Sequence, residues 1–175
     1  MRRPIPFATL VLLGVALDQL TKHLAFWLIP PSGSVPVWSG ILHFTHATNK
    51  GVAFSMLSGW PMVILAISLI TIPGLAWWYM RTWRDTPGSL VAGQGLILSG
   101  ALGNLIDRVQ FNYVRDFLDF MPPLPLIGKW AIFNVADAFI CVGVGLFLFA
   151  ELFAVRNASV PAALDPIPDA VKREE

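Results

Sequence analysis

The polar residues that could carry out chemistry are concentrated between Ser99 and Asp137. This stretch holds four aspartates and three asparagines, although the sequence around it is strongly apolar. Three of the aspartates, Asp107, Asp116 and Asp119, lie between two apolar segments, and Asp137 lies within the next one. A carboxylate in or near hydrocarbon is costly unless it has a partner or a function. These carboxylates are therefore the first candidates for a functional site.

A pair of such carboxylates can hydrolyse a peptide bond. Two aspartates that face each other do not readily both ionise, so one keeps a proton near neutral pH and the pair titrates as a unit. The ionised carboxylate takes a proton from the attacking water, while the protonated one donates to the carbonyl oxygen. The same pair could instead form a proton relay or a cation site in a small transporter. Charge and spacing alone leave these two interpretations level.

Other kinds of catalytic or metal site have little support in the sequence. It contains no His-Glu-x-x-His zinc motif, and Ile97 stands where a Gly-x-Ser-Gly serine motif ending at Ser99-Gly100 would need glycine. The single cysteine, Cys141, lies in an apolar segment without a basic neighbour, which predicts an inert thiol and no disulfide. His43 and His46 are three residues apart in a strand-like segment and should point to opposite faces. We therefore predict no metal site and no cofactor.

The composition predicts the elements that hold these residues. The chain has 175 residues, of which 55% are hydrophobic and 13% charged, with a mean hydropathy of +0.65. A soluble domain of this size would need more charge to cover its surface. The sequence therefore predicts an all-α membrane protein with one domain over residues 1–155. The net charge of +1 gives no indication of a nucleic-acid partner.

Four transmembrane helices are predicted, at about residues 7–29, 60–80, 89–106 and 130–155. The first is expected to be retained, because it is too long and too charged for a signal peptide. It carries Asp18 and Lys22, which are four residues apart, share a helix face and should form a structural ion pair. Polar loops are predicted at 30–59, with short strand-like segments, and at 107–129. The tail, 156–175, is predicted to be disordered and cytoplasmic.

The distribution of basic residues predicts the orientation. Four spans place both termini on one side of the membrane, together with the short turn between the second and third spans. That side carries seven of the twelve basic residues, which makes it cytoplasmic by the positive-inside rule. These residues are Arg2, Arg3, Arg81, Arg84, Arg156, Lys172 and Arg173. Asp116 and Asp137 are then expected near the extracytoplasmic face.

Five short segments, in chain order, carry a resemblance to a known family. They are Asp18-Gln19-Leu20-Thr21-Lys22, Asn49-Lys50-Gly51-Val52-Ala53-Phe54, Gly100-Ala101-Leu102-Gly103-Asn104-Leu105-Ile106-Asp107-Arg108, Val114-Arg115-Asp116-Phe117 and Phe133-Asn134-Val135-Ala136-Asp137. Together, on a pattern of four spans, they resemble the motifs of the bacterial lipoprotein signal peptidases (signal peptidase II). The resemblance covers roughly residues 7–155. It departs at Ser99, where members of the family often have a further glycine.

The resemblance implies an intramembrane aspartic endopeptidase whose catalytic pair is Asp116 and Asp137. The residues alone did not select Asp116 over Asp107 or Asp119. We expect Asp107 to be ion-paired with its neighbour Arg108, and Asp119 to be a loop residue. The further residues that are expected to bind substrate or support the site are Asn49, Gly51, Asn104, Asp107, Arg108, Asn134, Asp18 and Lys22.

The resemblance also implies the substrate and the setting. The substrate would be a diacylglyceryl-modified prolipoprotein, cut just before its lipidated cysteine in the bacterial cytoplasmic (inner) membrane. The enzyme would act as a monomer surrounded by membrane lipid, with a small extracytoplasmic β-cradle between helices 1 and 2. Two alternatives remain at this point. One is the transporter, whose carboxylates should lie near the membrane midplane; the other is a non-catalytic subunit that packs on a partner through its glycine-lined third helix.

Overall fold

The fold consists of four helices and one small sheet. The computed structural model describes residues 5–51, 59–84, 86–121 and 130–158. The helices are α1 (Ile5–Leu28), α2 (Pro61–Thr82), α3 (Gly88–Phe111) and α4 (Val135–Ala158). The strands are β1 (Ser34–Trp38), β2 (Leu42–Asn49) and β3 (Val114–Phe120).

The helices have the length and surface of membrane spans. Three of them contain segments long and apolar enough to cross a membrane, at Phe7–Leu28, Met62–Thr82 and Gly88–Phe111. The fourth contributes a shorter apolar helix, Val135–Ala150. Large apolar side chains such as Leu12 and Ile70 point outward with 70% and 75% of their surface exposed. This surface suits lipid rather than water, so the prediction of an all-α membrane protein with four helices is confirmed.

The helix ends differ from the predicted spans for local reasons. The third span was predicted to end at residue 106, but α3 continues to Phe111. It ends there because Asn112 adopts a left-handed conformation, with φ of 62°, and donates its backbone N–H to the Arg108 carbonyl. The fourth helix begins at Val135, after a side-chain cap described below. It continues to Ala158, so the first three residues of the tail that was predicted to be disordered, 156–158, are helical, and the rest of that tail, 159–175, lies outside the described residues.

The predicted sheet is present between α1 and α2, and it has a third strand from the α3–α4 connection. The order is β1-β2-β3 and both pairings are antiparallel. Gly40, with φ of 75°, turns the chain between β1 and β2. The third strand was predicted only as polar loop. Its first four residues are all buried, so it lacks the alternation of polar and apolar residues that would have indicated a strand.

Helix α3 packs against each of the other three helices. Two of its glycines allow the closest approaches, because a Cβ at Gly100 would clash with the Ala136 carbonyl of α4 and a Cβ at Gly103 would clash with the Asp18 carboxylate of α1. A side chain at either position would push the helices apart. These approaches bring the polar residues of α1, α3 and α4 together beside β3.

Candidate active site

Helix α4 begins with a reciprocal cap that also fixes one of the predicted catalytic residues. Asn134 precedes the helix, and its side-chain oxygen accepts the Asp137 backbone N–H at 3.0 Å. In return, Asp137 Oδ2 accepts the Asn134 backbone N–H at 3.2 Å. This is the geometry of a capping box, in which two residues three apart satisfy each other's free N–H groups. The start of α4 therefore sets the position of the Asp137 carboxylate.

The same asparagine binds the other predicted catalytic residue. Asn134 Nδ2 donates to Asp116 Oδ1 at 2.6 Å, and Asn134 is wholly buried. Asp116 lies on β3 with only 2% of its surface exposed. One asparagine thus binds both aspartates chosen from the sequence, Asp116 through its side chain and the Asp137 carboxylate through its backbone N–H, although 20 residues of chain separate them.

The surroundings of Asp116 favour its protonated form. Burial, and after it the negative charge of Asp137, raise the pKa of this carboxyl to about 7. Hydrogen bonds from Asn134 and Asn49 and the charge of Lys22 oppose this rise only in part. One of the two aspartates can therefore hold a proton near neutral pH, which is the state that acid–base hydrolysis requires.

The predicted ion pair of α1 exists, and it is connected to the aspartates. Lys22 Nζ lies 2.9 Å from Asp18 Oδ2, and neither side chain is exposed. The same Nζ donates to Asn104 Oδ1 at 2.9 Å, and Asn104 Nδ2 donates to Asp137 Oδ1 at 2.8 Å. Asp18 Oδ1 also accepts the Ala136 backbone N–H at 2.9 Å, next to the cap of α4.

The expected pairing of Asp107 with Arg108 is wrong. Asp107 is paired with Arg115, whose guanidinium contacts its two carboxylate oxygens at 2.8 and 3.1 Å. Consecutive residues of a helix point about 100° apart, so the two neighbours face different sides of α3. Arg108 instead donates to the Asn104 carbonyl at 3.4 Å and to the Gly51 carbonyl at 3.0 Å.

Asp119 is not a loop residue, as was expected, but a buried residue of β3. Its Oδ2 accepts the Thr45 hydroxyl at 3.1 Å. Because Asp116 and Asp119 are three residues apart in a strand, they face opposite sides of the sheet. Asp119 therefore lies on the other face from the Asp116–Asp137 pair.

Neither Asp116 nor Asp137 lines the cavity of about 380 Å³ in this region, but through Asn49, which hydrogen-bonds to Asp116, the cavity adjoins the aspartate pair. Its polar side includes Asn49 and Arg108, and its apolar side includes Met62, Ile64 and Leu65 of α2. The Asn49 side chain also accepts the Gly51 backbone N–H at 2.9 Å, which ties the two predicted residues together. Residues 52–54 of the same motif lie outside the described residues. A cavity with one polar and one apolar wall suits an extended, partly apolar ligand.

Two residues of the network were not singled out from the sequence. Gln19 bridges the helices, since its amide donates to Asp107 at 3.1 Å and accepts from Arg115 at 2.9 Å. Arg115 is the main partner of Asp107. The sequence could have indicated both residues. Gln19 is a polar residue inside an apolar span, and Arg115 is next to Asp116.

The histidines have separate partners. His43 Nδ1 lies 3.3 Å from the Ser34 hydroxyl, and His46 Nδ1 lies 3.2 Å from the Ile29 carbonyl. Within the described ranges, no three histidine, cysteine or acidic side chains are grouped so that they could hold a metal ion.

Four membrane helices surround two neighbouring aspartates, one buried and one partly exposed, and this arrangement is typical of a multi-pass membrane protein of the aspartic peptidase class. Comparison with known proteins specifies the family. Residues 10–153 match the family described as signal peptidase (SPase) II. The chain belongs to the signal peptidase II family of aspartic peptidases.

Individual relatives and solved structures agree with this assignment. The lipoprotein signal peptidase of Sinorhizobium fredii is 37% identical over 156 residues, covering 89% of this chain and 91% of the relative. That of Halothermothrix orenii is 36% identical over 138 residues, covering 79% and 89%. A bacterial membrane enzyme solved at 2.3 Å superimposes with a TM-score of 0.78 at 28% identity, covering 91% of this chain and 94% of the other. A second, solved at 1.9 Å, gives 0.72 at 29% identity, covering 84% and 92%.

Proposed function

We propose that this chain removes the signal peptide from diacylglyceryl-modified prolipoproteins, with Asp116 and Asp137 as the catalytic pair. The observation that carries the proposal is Asn134, which bonds to both carboxylates at the start of α4. Processing of prolipoproteins fits the family and the relatives described as lipoprotein signal peptidases.

The pair can hydrolyse a peptide bond with one proton shared between its members. A water oxygen attacks the carbonyl carbon and loses a proton to the ionised aspartate, while the protonated aspartate gives its proton to the carbonyl oxygen. The resulting diol collapses as the C–N bond breaks. The leaving nitrogen takes the proton from the first aspartate, and a hydroxyl of the diol returns a proton to the second. The pair ends the cycle with one proton, as it began.

The cavity beside the pair suits a lipid-modified peptide. Arg108 and Asn49 supply donors for substrate carbonyl groups, and the apolar wall formed by α2 faces the hydrocarbon side of the substrate. A diacylglyceryl group can then stay in the bilayer while the scissile bond lies between the aspartates. No metal or organic cofactor is required for this chemistry, because both proton transfers are made by carboxyl groups.

The orientation and setting form part of the same proposal. Asp137 is in the first turn of α4, whereas Arg81 is in the last turn of α2, beside the basic turn before α3. By the positive-inside rule, the basic turn and both termini are cytoplasmic and the catalytic pair lies near the extracytoplasmic face. The enzyme works as a monomer in the bacterial cytoplasmic (inner) membrane, in contact with membrane lipid.

A proton- or cation-coupled transporter has less support. Such a protein should hold its carboxylates in the middle of broken or repeated helices. Here one carboxylate is on a strand and the other is in the first turn of a helix. Both are therefore placed at an end of the bundle, where a peptide bond can meet water.

The test uses the purified full chain in liposomes with a prolipoprotein in two forms, one carrying the diacylglyceryl group and one not. Mass spectrometry of the products should show a cut before the lipidated cysteine in the modified form only. Cleavage of both forms at equal rates would contradict the substrate assignment. If neither form is cut while the liposomes conduct protons or cations, the transporter replaces the peptidase.

A further inference from the structure

The structure contains a buried cation that the hydrolytic scheme does not use. Lys22 has no exposed surface, and its Nζ contacts Asp18 at 2.9 Å, Asn104 at 2.9 Å and Asp107 at 3.7 Å. A buried lysine is costly unless its charge is balanced. Asp18 alone could balance it, as an ion pair within one helix. The contact with Asn104 therefore calls for a separate explanation.

Lysine can only donate hydrogen bonds, and this fixes the direction of the chain that leads to the aspartates. The Asn104 oxygen has to face Lys22, so its nitrogen has to face Asp137. Asn134 also donates to the Asn104 oxygen, at 3.2 Å. The oxygen and nitrogen of an asparagine side chain have nearly the same shape, so hydrogen bonds decide which end points where. Here these bonds hold the amides of Asn104 and Asn134 in one orientation each.

In this arrangement, the Asp137 carboxylate accepts every hydrogen bond that it makes with the described residues. Asn104 Nδ2 donates to its Oδ1 and the Asn134 backbone N–H donates to its Oδ2. It also lies in the first turn of α4, where the helix dipole favours a negative charge. Asp137 is partly exposed, whereas Asp116 is 98% buried with the pair's other carboxylate beside it. Each of these features favours a negative charge on Asp137 and the proton on Asp116.

We propose that Lys22 is a positioning residue that, by fixing the Asn104 amide, keeps Asp137 as the ionised base and leaves the shared proton on Asp116. This inference rests on the proposed function and adds a direction to it. Asp137 takes the proton from water, and Asp116 donates to the carbonyl oxygen. Without the lysine, the Asn104 oxygen keeps only the 3.2 Å bond from Asn134 among its described partners, and the amide can rotate more readily to present its oxygen to Asp137. That arrangement requires a proton on Asp137 and disables the base.

The test is the pH profile of kcat/KM, whose acid limb reports protonation of the ionised aspartate. Besides Asp137 itself, the charged groups on the elements packed around it are Asp18, Lys22, Asp107, Arg108, Arg115 and Asp116. The Lys22→Met variant removes the lysine. We expect its acid limb to move to higher pH by roughly one unit, and its kcat to fall about tenfold or more with little change in KM.

Two further variants separate positioning from charge and from folding. Asp18→Leu with Lys22→Met removes the pair together, so the net charge is kept while the lysine bond to Asn104 is lost along with the Ala136 N–H bond to Asp18. Asn104→Ala cuts the same chain one residue further on and leaves the ion pair intact. The double variant and Asn104→Ala should both move the acid limb to higher pH. If the Lys22 variants do not accumulate as folded protein, the acid limb of Asn104→Ala tests the same chain of hydrogen bonds.

The matched control is Asp18→Asn, which disturbs the same buried pair but keeps the lysine and its bond to Asn104. Its acid limb should stay in place or move to lower pH. If thermal unfolding shows folded protein and the acid limb is the same in all the variants, Lys22 is only structural and the inference is overturned. If the wild type itself does not cut a prolipoprotein, it is the proposed function that fails.

Discussion

At the scale of single residues, the site depends on amides that hold carboxylates without adding charge. Asn134 serves both aspartates, and Asn104 connects one of them to Lys22. Neutral donors leave the pair with a single negative charge, so one proton can be shared. A cation bonded directly to both aspartates would instead favour the loss of that proton.

The raised pKa of Asp116, about 7 against an ordinary 3.8, predicts a dependence on pH. Activity should fall on the alkaline side near pH 7, as the pair loses its shared proton. Between about pH 4 and 7 the folded protein binds a proton that the unfolded chain releases, so stability should fall as pH rises through this window. Thermal midpoints of the wild type should show this fall, and those of Asp116→Asn should show less of it. Identical slopes would contradict the assignment.

The pairing of Asp107 with Arg115 predicts a large loss of stability when one partner is removed. Arg115→Met leaves Lys22, at 3.7 Å, as the one cation that still pairs with the buried Asp107 among the described residues, and should cost about 3–5 kcal/mol. Arg84→Met is the control, because Arg84 is exposed and its guanidinium stacks on Trp83. Denaturation in detergent measures the free energy of unfolding of both variants and of the wild type. Equal stability of both variants would show that the Asp107–Arg115 pair is not required for the fold.

At the scale of elements, the close approach of α3 to α4 depends on glycine. A methyl group at Gly100 would meet the Ala136 carbonyl, which is backbone and cannot move aside. Gly100→Ala should therefore destabilise the protein by about 1–3 kcal/mol and displace the start of α4, with a matching loss of activity. Gly145→Ala, on the same helix pair but in open space, should leave stability unchanged or raise it by up to about 1 kcal/mol. Unfolding and cleavage assays on the two variants distinguish a packing requirement from a general effect of replacing glycine.

Helix α3 also carries a buried amide that finds no partner in the described part of the chain. Both polar side-chain atoms of Gln94 are unbonded there, and the residue is 2% exposed. Gln94→Met should raise the thermal stability by about 1–3 kcal/mol, since an unsatisfied buried group is removed. Gln19→Met is the opposite case, because Gln19 bonds to Asp107, Arg115 and the Gly103 carbonyl. A loss of stability in both variants would mean that Gln94 has a partner after all.

At the scale of the whole molecule, the spans and the site residues were open to prediction, but their connections were not. Long apolar runs have few possible structures in a membrane, so the four helices followed from composition. The order of the polar segments, through the family resemblance, predicted Asp116 and Asp137 as the pair, and Asn134 bonds to both of them in the structure. The partner of Asp107 and the strand β3 could not be predicted, because both depend on contacts between segments that are distant along the chain.

The cap of α4 is an intermediate case. Asn134-Val135-Ala136-Asp137 has the spacing of a capping box, which places an N-cap three residues before an acid. This local pattern would have placed the start of the helix at Val135 rather than in the region of Trp130. It also shows why Asn134 and Asp137 are three residues apart, since one motif begins the helix and orients the carboxylate.

The central claim, that Asp116 and Asp137 act together as the catalytic pair, is tested most directly by single-turnover cleavage of a diacylglyceryl-modified prolipoprotein. Asp116→Asn and Asp137→Asn should each slow cleavage by about a thousandfold or more, because each removes one of the two proton transfers. Asp119→Asn, on the opposite face of the sheet, should cut at a rate close to that of the wild type. Rapid cleavage by either Asp116→Asn or Asp137→Asn, in folded protein at equal amounts, would contradict the account.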